Sequence, residues 1–242
     1  GLGDVYKRQG LPRAAEIIRE GIFRGADGGI VLTDRVLGGA DTLATSYSLA
    51  QAVKKIGNYD IILGGRQAID GDTAQVGPQI AEKLGLPQVT YAEEIVDLSD
   101  GHVTVRRRLE NGVETVKAPL PCVVTVNGSA AECRPRNARR VMQYKFAASA
   151  GELAKADERR KEIVAKRPEL QIKEWGAAFV EADPEQIGMP GSPTKVKAIE
   201  NVVFTAKESR RLDDSDAAIE DLVKELITNH TICLLYTSDA AD

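Results

Sequence analysis

Residue types that often carry metal or nucleophilic chemistry are scarce in this chain of 242 residues, which has two histidines and three cysteines. Cys122, Cys133 and Cys233 show no C-x-x-C spacing, and only His102 and His230 could add imidazole groups. A Cys/His metal site or a Cys-His nucleophile is therefore not expected. No catalytic triad is evident either, and we expect no catalytic residues and no bound metal.

The chain also lacks an excess of positive charge and any long apolar run. Lysine and arginine number 32 against 36 acidic residues, for a net charge of -4, which offers no cationic surplus for a phosphate backbone. No stretch of 18 or more apolar residues occurs, and the N-terminus lacks the order of a signal peptide. We expect a cytoplasmic protein with no nucleic-acid partner and no membrane insertion.

Two common nucleotide-binding fingerprints are missing as well. Neither G-x-G-x-x-G nor G-x-x-x-x-G-K-[ST] is present in the sequence. Walker-type hydrolysis of nucleoside triphosphates and the usual dinucleotide fingerprint are therefore disfavoured.

The two ends of the chain, residues 1–9 and 233–242, carry a pattern that points outside the protein. Asp4 to Gln9 can be written as GAT GTG TAT AAG AGA CAG. Its reverse complement, read one base along, encodes Cys-Leu-Leu-Tyr-Thr and the start of a serine codon, as in Cys233 to Ser238. Such inverted copies resemble the transposase adapter of sequencing libraries. We therefore expect adapter-derived tails around a native stretch of about 10–232 that is truncated at its N-terminus.

The first part of the native stretch alternates between helix and strand patterns. Apolar residues recur at helical spacing in 13–24, 42–56 and 73–84. The short apolar runs 28–34 and 59–65 do not alternate, which suits strands of a parallel sheet that are buried on both faces. This order predicts an α/β fold with a Rossmann-like, doubly wound and mostly parallel sheet.

The pattern changes after residue 88 into several extended segments. Asn111-Gly112 between two alternating segments is a strong signal for a type I′ hairpin, so 88–126 is predicted to add antiparallel structure to the sheet. Beyond it, charged helical segments lead into a stretch with too few apolar residues for a second core. We therefore expect a truncated nucleotide-binding α/β domain over 10–150, followed by C-terminal helices and an arm over 151–232.

Two turns that lead from predicted strands into helices could bind phosphate. In GADTLATS, residues 39–46, Asp41 can cap the helix, and Thr42 and Thr45 can point both hydroxyl groups at one anion. In GGRQAIDGDTAQVG, residues 64–77, the glycines let the backbone approach a ligand closely. Both turns would lie at the carboxyl edge of the sheet, where open α/β folds bind ligands. A simple helix cap and a ligand-free turn remain open alternatives.

The segment LGGRQAIDGDTAQVGPQIAEKLGLPQVTY, residues 63–91, resembles the most characteristic part of the electron-transfer flavoprotein beta subunit. GADTLATS, LPCVVTV, AECRPRNARRVM and GSPTKV extend the resemblance over nearly all of 10–232. It implies a Rossmann-like electron carrier without independent turnover, which forms a heterodimer with an alpha subunit that holds most of the redox FAD. The family's first strands and early nucleotide contacts would lie upstream of this sequence.

The resemblance also implies a nucleotide in the beta subunit itself, either AMP or, in the electron-bifurcating branch, a second FAD. Loop 65–76 would wrap the adenosine part. Because GDTAQVG and DTLAT are more similar to the bifurcating branch, we expect FAD rather than AMP. The implied cofactor-binding residues are Asp41, Thr42, Thr45, Gly65, Arg66, Gln67, Ala68, Ile69, Asp70, Gly71, Asp72, Thr73, Ala74, Gln75 and Val76.

The basic segment 134–140 is, from its residues alone, a solvated charged turn. By resemblance it is the loop that docks on acyl-CoA dehydrogenase-type partners, and the family's docking leucine falls at about Ala138, so that anchor is absent. Steering of an acidic partner by the arginines is a hypothesis. The implied docking residues are Arg134, Arg136, Ala138, Arg139 and Arg140.

Two other classes of function remain open. An adenine-nucleotide-using α/β enzyme would carry an S-G-G-x-D type loop after its first strand, and none is visible. A nucleotide-sensing binding protein would lack the hairpin, the basic segment and the arm.

Overall fold

The computed structural model describes residues 11–69, 71–195, 212–213 and 215–228. The expected adapter-derived tails and Asp70 lie outside these residues. The helices are α1 (Leu11–Arg24), α2 (Thr42–Ile56), α3 (Val76–Leu84), α4 (Val141–Phe146), α5 (Ala150–Leu153), α6 (Glu158–Lys166) and α7 (Asp216–Thr228). The strands are β1 (Ile30–Leu32), β2 (Ile61–Gly65), β3 (Gln88–Ser99), β4 (His102–Leu109), β5 (Gly112–Pro119), β6 (Cys122–Val126), β7 (Ala148–Ser149) and β8 (Gln171–Trp175).

The strands form two sheets. The first is parallel, with the order β1-β8-β7, and the second has the order β2-β6-β3-β4-β5. In the second sheet β2, β6 and β3 run parallel, while β4 and β5 continue it in antiparallel fashion. The predicted α/β class, with a mostly parallel sheet and an antiparallel addition, is confirmed. The described strands do not form the single sheet that was predicted, because β1 pairs with β8 and not with β2.

Local sequence signals explain where α2 and α3 begin and end. The side chain of Asp41 accepts the N–H groups of Leu43 and Ala44 and so caps α2, which ends at Gly57 with φ +61°. Gly85 ends α3 in the left-handed conformation, with φ +65°. The cap and both stops agree with the sequence, but α3 begins at Val76 and not at residue 73.

The antiparallel part contains two tight hairpins. The predicted turn between β4 and β5 is present. Leu109 pairs with Gly112, however, and of Asn111 and Gly112 only Gly112 has a positive φ, so the predicted type I′ turn at Asn111-Gly112 is wrong. The type I′ signature lies one hairpin earlier, where Asp100 and Gly101 have φ +52° and +70° between the paired Ser99 and His102. Aspartate and glycine tolerate this conformation, which matches the twist of the flanking strands.

Two apolar clusters hold these layers together. The first lies in the five-stranded sheet and includes Val89, Val103, Val105 and Val124, each almost fully buried. The second joins α1 to the parallel sheet through Ala15, Ile22, Val31, Ala147 and Ile172. Burial of each valine or isoleucine side chain contributes about 1.5–3 kcal/mol, so these clusters fix the strands whose ends carry the site.

A nearly buried ion pair fastens α1 to α5. The Arg19 side chain is 10% exposed, and its Nη1 lies 2.9 Å from a carboxylate oxygen of Glu152, which is 15% exposed. Glu152 also completes a capping box with Ser149, because each residue bonds the backbone N–H of the other. Arg19 further donates to Glu16 and to the backbone oxygen of Ala147. This cluster replaces apolar packing at the point where α1, α4 and α5 meet.

The chain divides into two compact units, residues 1–196 and 197–242. Within the first unit β8 pairs with both β1 and β7, so part of the segment after residue 150 belongs to the parallel sheet. The boundary at 150 stays a prediction. In the second unit α7 is amphipathic, and Ile219 and Val223 on it are 51% and 41% exposed. No helix among the described residues is long and apolar enough to cross a bilayer.

Replacement of Arg19 by methionine should lower the free energy of unfolding by about 2–4 kcal/mol, because Glu152 would keep a poorly solvated charge without its partner. The control is Lys161→Met, since the Lys161–Glu158 pair is 41% and 83% exposed. That change should cost no more than about 0.5 kcal/mol. Urea unfolding measures both, and equal losses would show that burial of the Arg19 pair is unimportant.

Candidate functional site

The two turns singled out in the sequence meet in the structure. The Oγ1 atom of Thr42, at the start of α2, donates a hydrogen bond to Oε1 of Gln75, the residue before α3, over 2.9 Å. Gly65 ends β2, and the Arg66 N–H donates to the Val126 oxygen at the end of the neighbouring β6. The Thr42–Gln75 bond therefore brings the two turns side by side, although β1 and β2, the strands before them, belong to different sheets.

Asp41 governs the N-terminus of α2. Its Oδ1 accepts the N–H groups of Leu43 and Ala44 at 2.9 and 3.0 Å, so two N–H groups of the first turn are already bonded, as the predicted cap implies. The Thr42 hydroxyl is exposed, and Thr45 lies half-buried one turn later. Asp41 therefore serves as a cap. The Thr42 hydroxyl donates its one proton to Gln75, so an anion would have to replace Gln75 as its acceptor, and Thr45 offers the second hydroxyl at this helix start.

The ionisation of Asp41 is tied to this capping role. Burial alone would raise the pKa of its carboxyl group, but hydrogen bonds from Ala44, Thr194 and Leu43 lower the pKa below its ordinary value of 3.8. The charged form is therefore the one that the fold stabilises.

The start of α3 differs from that of α2 because, among the described residues, no side chain caps it. Gln75 precedes the helix with a helical backbone and makes no capping hydrogen bond. Gly77 lies in the first turn against β6, and a Cβ atom there would be 2.4 Å from Cγ2 of the buried Thr125. This glycine lets α3 approach the strand closely. The uncapped N–H groups of the first turn point to α3, more than α2, as the helix start that can bind a phosphate.

The loop between β2 and α3 is open where a ligand could lie. A Cβ atom at Gly64 or at Gly65 would meet no atom of the described residues within 4 Å. The Gln67 amide bonds the Asp72 carboxylate, and the Asp72 N–H donates to the Ala68 oxygen over 3.0 Å. Ile69 is 97% exposed at the tip of the loop. Open space beside polar groups fits a nucleotide, since carboxylate and amide groups bind ribose hydroxyls and an apolar side chain covers a base.

Several residues of this loop have unusual backbones. Asp72 and Ala74 have φ +48° and +52°, and Tyr91, at the carboxyl end of the parallel part of β3, has φ +60°. The Arg66 guanidinium lies 5.5 Å from the centre of the Tyr91 ring. Non-glycine residues with positive φ concentrate at functional sites, where the surrounding structure compensates the strain. Tyr91, Gly77 and Thr125 were not among the residues singled out from the sequence, because only the fold brings them to this edge.

The implied nucleotide-site residues fall into clear places. Asp41, Thr42 and Thr45 lie at the start of α2, and the positions from 65 to 76 form the second turn, apart from Asp70, which lies outside the described residues. The described positions of the second turn are Gly65, Arg66, Gln67, Ala68, Ile69, Gly71, Asp72, Thr73, Ala74, Gln75 and Val76. No group of acidic, histidine or cysteine side chains that could hold a metal occurs among the described residues.

The basic segment 134–140 packs on α1. Arg136 forms an ion pair with Glu20 at 3.0 Å and lies over the Phe23 ring at 5.8 Å. Arg140 donates to the Ala26 oxygen over 2.7 Å and also contacts Asp27. Half of the predicted docking arginines therefore fasten the segment to the protein itself.

The other docking positions face solvent. Ala138 begins a short 3-10 turn that Asn137 caps, and it is exposed together with Arg134 and Arg139. In the described part of the chain neither of these two arginines has an acidic partner within salt-bridge distance. These two side chains, and not all four arginines, present free positive charge to a partner.

The pH dependence of stability should change when Asp41 is replaced by asparagine. A carboxyl group with a lowered pKa in the folded state stabilises the protein above its ordinary pKa of 3.8, and this contribution is lost as pH falls through the lowered value. Asp41→Asn should cost about 1 kcal/mol at pH 7 and less at pH 2–3. Urea unfolding at several pH values measures this, with the exposed Asp60→Asn as control. A constant loss at every pH would contradict the account.

Known proteins are similar to this chain in sequence. A family model for the electron transfer flavoprotein domain matches residues 9–159, which include both turns and the basic segment. The electron transfer flavoprotein subunit beta of Megasphaera elsdenii is 42% identical over 235 residues, covering 92% of this chain and 77% of its own length.

Two further relatives agree. Protein FixA of Sinorhizobium fredii is 40% identical and covers 91% of this chain and 72% of its own length. The caffeyl-CoA reductase-Etf complex subunit CarD of Acetobacterium woodii is 40% identical, and the match covers 81% of this chain and 66% of the length of CarD. With the α/β fold and the turns at its carboxyl edge, these matches show that the chain belongs to the electron transfer flavoprotein beta-subunit family.

Proposed function

We propose that this chain acts as the beta subunit of a heterodimeric electron transfer flavoprotein and binds an adenine nucleotide of its own between the turns 39–46 and 64–77. The observation that carries the proposal is the contact of Thr42 with Gln75, which joins the two turns beside the open space over Gly64 and Gly65. The alpha subunit holds most of the redox flavin. The protein is an electron carrier, and the flavin supplies the redox chemistry when it is bound.

Each part of the nucleotide has residues that suit it chemically. The Thr45 hydroxyl and the start of α3 suit phosphate oxygens, because they supply donors next to a positive helix end. The Thr42 hydroxyl joins them when a phosphate oxygen replaces Gln75 as the acceptor of its proton. Gln67 and Asp72 suit the hydroxyls of a ribose, and Ile69 suits the base. Arg66, held beside Tyr91, adds a positive charge on the same edge. Each role is one that a protein group performs by binding or orienting the nucleotide.

FAD is the favoured nucleotide and AMP the second choice. The sequences GDTAQVG and DTLAT are more similar to the electron-bifurcating branch, which holds a second FAD. A dinucleotide has two phosphates, and the adjoining starts of α2 and α3 offer a hydroxyl pair and an uncapped helix end. The fit of two phosphate-binding groups to two phosphates supports FAD.

Substitution of Gly65 by alanine should separate nucleotide binding from folding. Because an added Cβ would meet no atom within 4 Å in the part of the chain that the structure describes, and Gly65 has no positive φ, stability should change by less than about 0.5 kcal/mol. The same methyl group would enter the space assigned to the nucleotide, so affinity should fall about tenfold or more. Gly28→Ala, also in open space but before β1, is the matched control.

The measurement is made on the heterodimer, co-expressed with its alpha subunit, by counting bound FAD and AMP and by titration. Two FAD per heterodimer support the bifurcating branch, whereas one FAD with one AMP contradicts it and keeps the nucleotide site. No nucleotide on this subunit, or unchanged affinity in Gly65→Ala, contradicts the proposed site.

The partner that exchanges electrons with this subunit is proposed to be an acyl-CoA dehydrogenase-type protein that docks on the basic segment. The exposed Arg134 and Arg139 carry the free charge, and Ala138 between them offers no apolar anchor. Docking then depends more on charge than on apolar contact, which gives a fast and salt-sensitive encounter.

Reversal of both charges, in Arg134→Glu with Arg139→Glu, should slow association with such a partner roughly tenfold at low salt and much less at high salt. The control is Lys155→Glu with Arg159→Glu, which makes the same change of net charge at exposed positions outside the basic segment. Stopped-flow electron transfer at several salt concentrations measures the rates. Equal slowing by the two double variants would rule out docking at the basic segment.

A further inference from the structure

A segment far along the chain packs on the start of α2. This segment, Ile187–Thr194, is called the strap here. Ile187 and Ser192 are each 3% exposed, and Cβ atoms at Gly188 and Gly191 would lie 2.0 Å from the Val36 oxygen and 2.1 Å from the Gln186 carbonyl carbon. The strap therefore follows the turn before α2 at backbone contact distance, which only glycine permits at Gly188, where φ is +55°.

Asp41 binds the strap and α2 together. Its Oδ1 caps the helix, while its Oδ2 accepts the N–H of Thr194 over 3.1 Å and the Thr194 hydroxyl over 2.8 Å. The Asp41 N–H in turn donates to Oγ of Ser192 over 2.8 Å. These bonds join residues up to 153 positions apart in the chain. Both carboxylate oxygens are occupied, so Asp41 has little capacity left to contact a ligand.

Thr42 connects the strap contacts of Asp41 to the proposed nucleotide site. Asp41 bonds Thr194 of the strap, and the adjacent Thr42 bonds Gln75. Hydrogen bonds from these two neighbouring residues thus connect the start of α2 to the strap and to the turn before α3. The Thr194 donors also offset the negative charge of Asp41, which would otherwise oppose a phosphate placed at Thr42. A docked strap therefore orients Thr42 and weakens a repulsive charge at the same time.

We propose that Asp41 is a positioning residue, not a nucleotide ligand, and that docking of the strap by Thr194 on Asp41 holds the nucleotide site in its binding form. This inference rests on the proposed nucleotide site. Because coupling between two sites is reciprocal, a bound nucleotide must stabilise the docked strap by the same factor by which the strap improves nucleotide binding.

The test uses the full chain in its heterodimer, with FAD as the probe. Thr194→Val removes the hydroxyl donor, and we expect about three- to tenfold weaker binding of FAD to this subunit, because the docked fraction falls. Thr194→Ser keeps the donor and should restore the affinity to within about twofold. Thr228→Val removes a hydroxyl that bonds Lys224 within α7 and serves as control, with no expected change.

Amide hydrogen exchange gives a second readout that a merely structural role would not move. In the unaltered protein, FAD should slow exchange in the strap, and Thr194→Val should speed it without changing exchange in β4 and β5. If Thr194→Val fails to fold, the effect of FAD on strap exchange in the unaltered protein still decides the matter. No binding of FAD or AMP to the unaltered protein would defeat the proposed function. Normal binding with no response of the strap, or no loss in Thr194→Val, would overturn the coupling alone.

Discussion

Parallel pairing of β2, β6 and β3 is the constraint from which the site follows. Because these three strands run in one direction, β2 and the parallel part of β3 end beside Val126 at one edge, and α3 starts next to it. The loop after β2 cannot then fold elsewhere, since the Arg66 N–H continues the pairing with the Val126 oxygen. The buried valines of this sheet are thus what hold Gly65, Tyr91 and Gly77 within reach of one ligand.

The two helix starts at this edge have different electrostatics. At α2 the Asp41 carboxylate accepts the N–H groups of Leu43 and Ala44. At α3 no side chain of the described residues forms such a cap. A phosphate is therefore drawn to α3 by the helix dipole and to α2 by hydroxyl groups only. The Thr42–Gln75 bond makes the two starts one surface. The proposed nucleotide would be bound at this surface without a reacting group from the protein.

Much of this could be predicted from local sequence, because caps and stops depend on residues that are close in the chain. Asp41, Gly57 and Gly85 begin or end their helices as their types imply. The type I′ turn was misplaced because Asn111-Gly112 and Asp100-Gly101 carry similar signals, and the register of the strands decides between them. Sequence could name the two turns as candidates, but not that Thr42 touches Gln75.

The contacts that sequence could not reveal are those between distant segments. Arginine side chains are mostly exposed in proteins, yet the fold places Arg19 against Glu152, 133 positions away. Thr194 lies in a stretch that carried a family resemblance but no assigned role, and its partner Asp41 already had a sufficient local role as a cap. The arginines of the basic segment differ for the same reason, since only packing on α1 separates Arg136 and Arg140 from Arg134 and Arg139.

Both turns are proposed to bind one nucleotide. An experimental structure of the heterodimer with its cofactors is the sharpest test of this shared site. The account predicts a nucleotide of this subunit whose phosphate oxygens lie within hydrogen-bonding distance, about 2.7–3.2 Å, of the Thr42 hydroxyl and of an N–H in the first turn of α3. A nucleotide bound elsewhere on the subunit, with the edge between Thr42 and Gln75 empty, would contradict it.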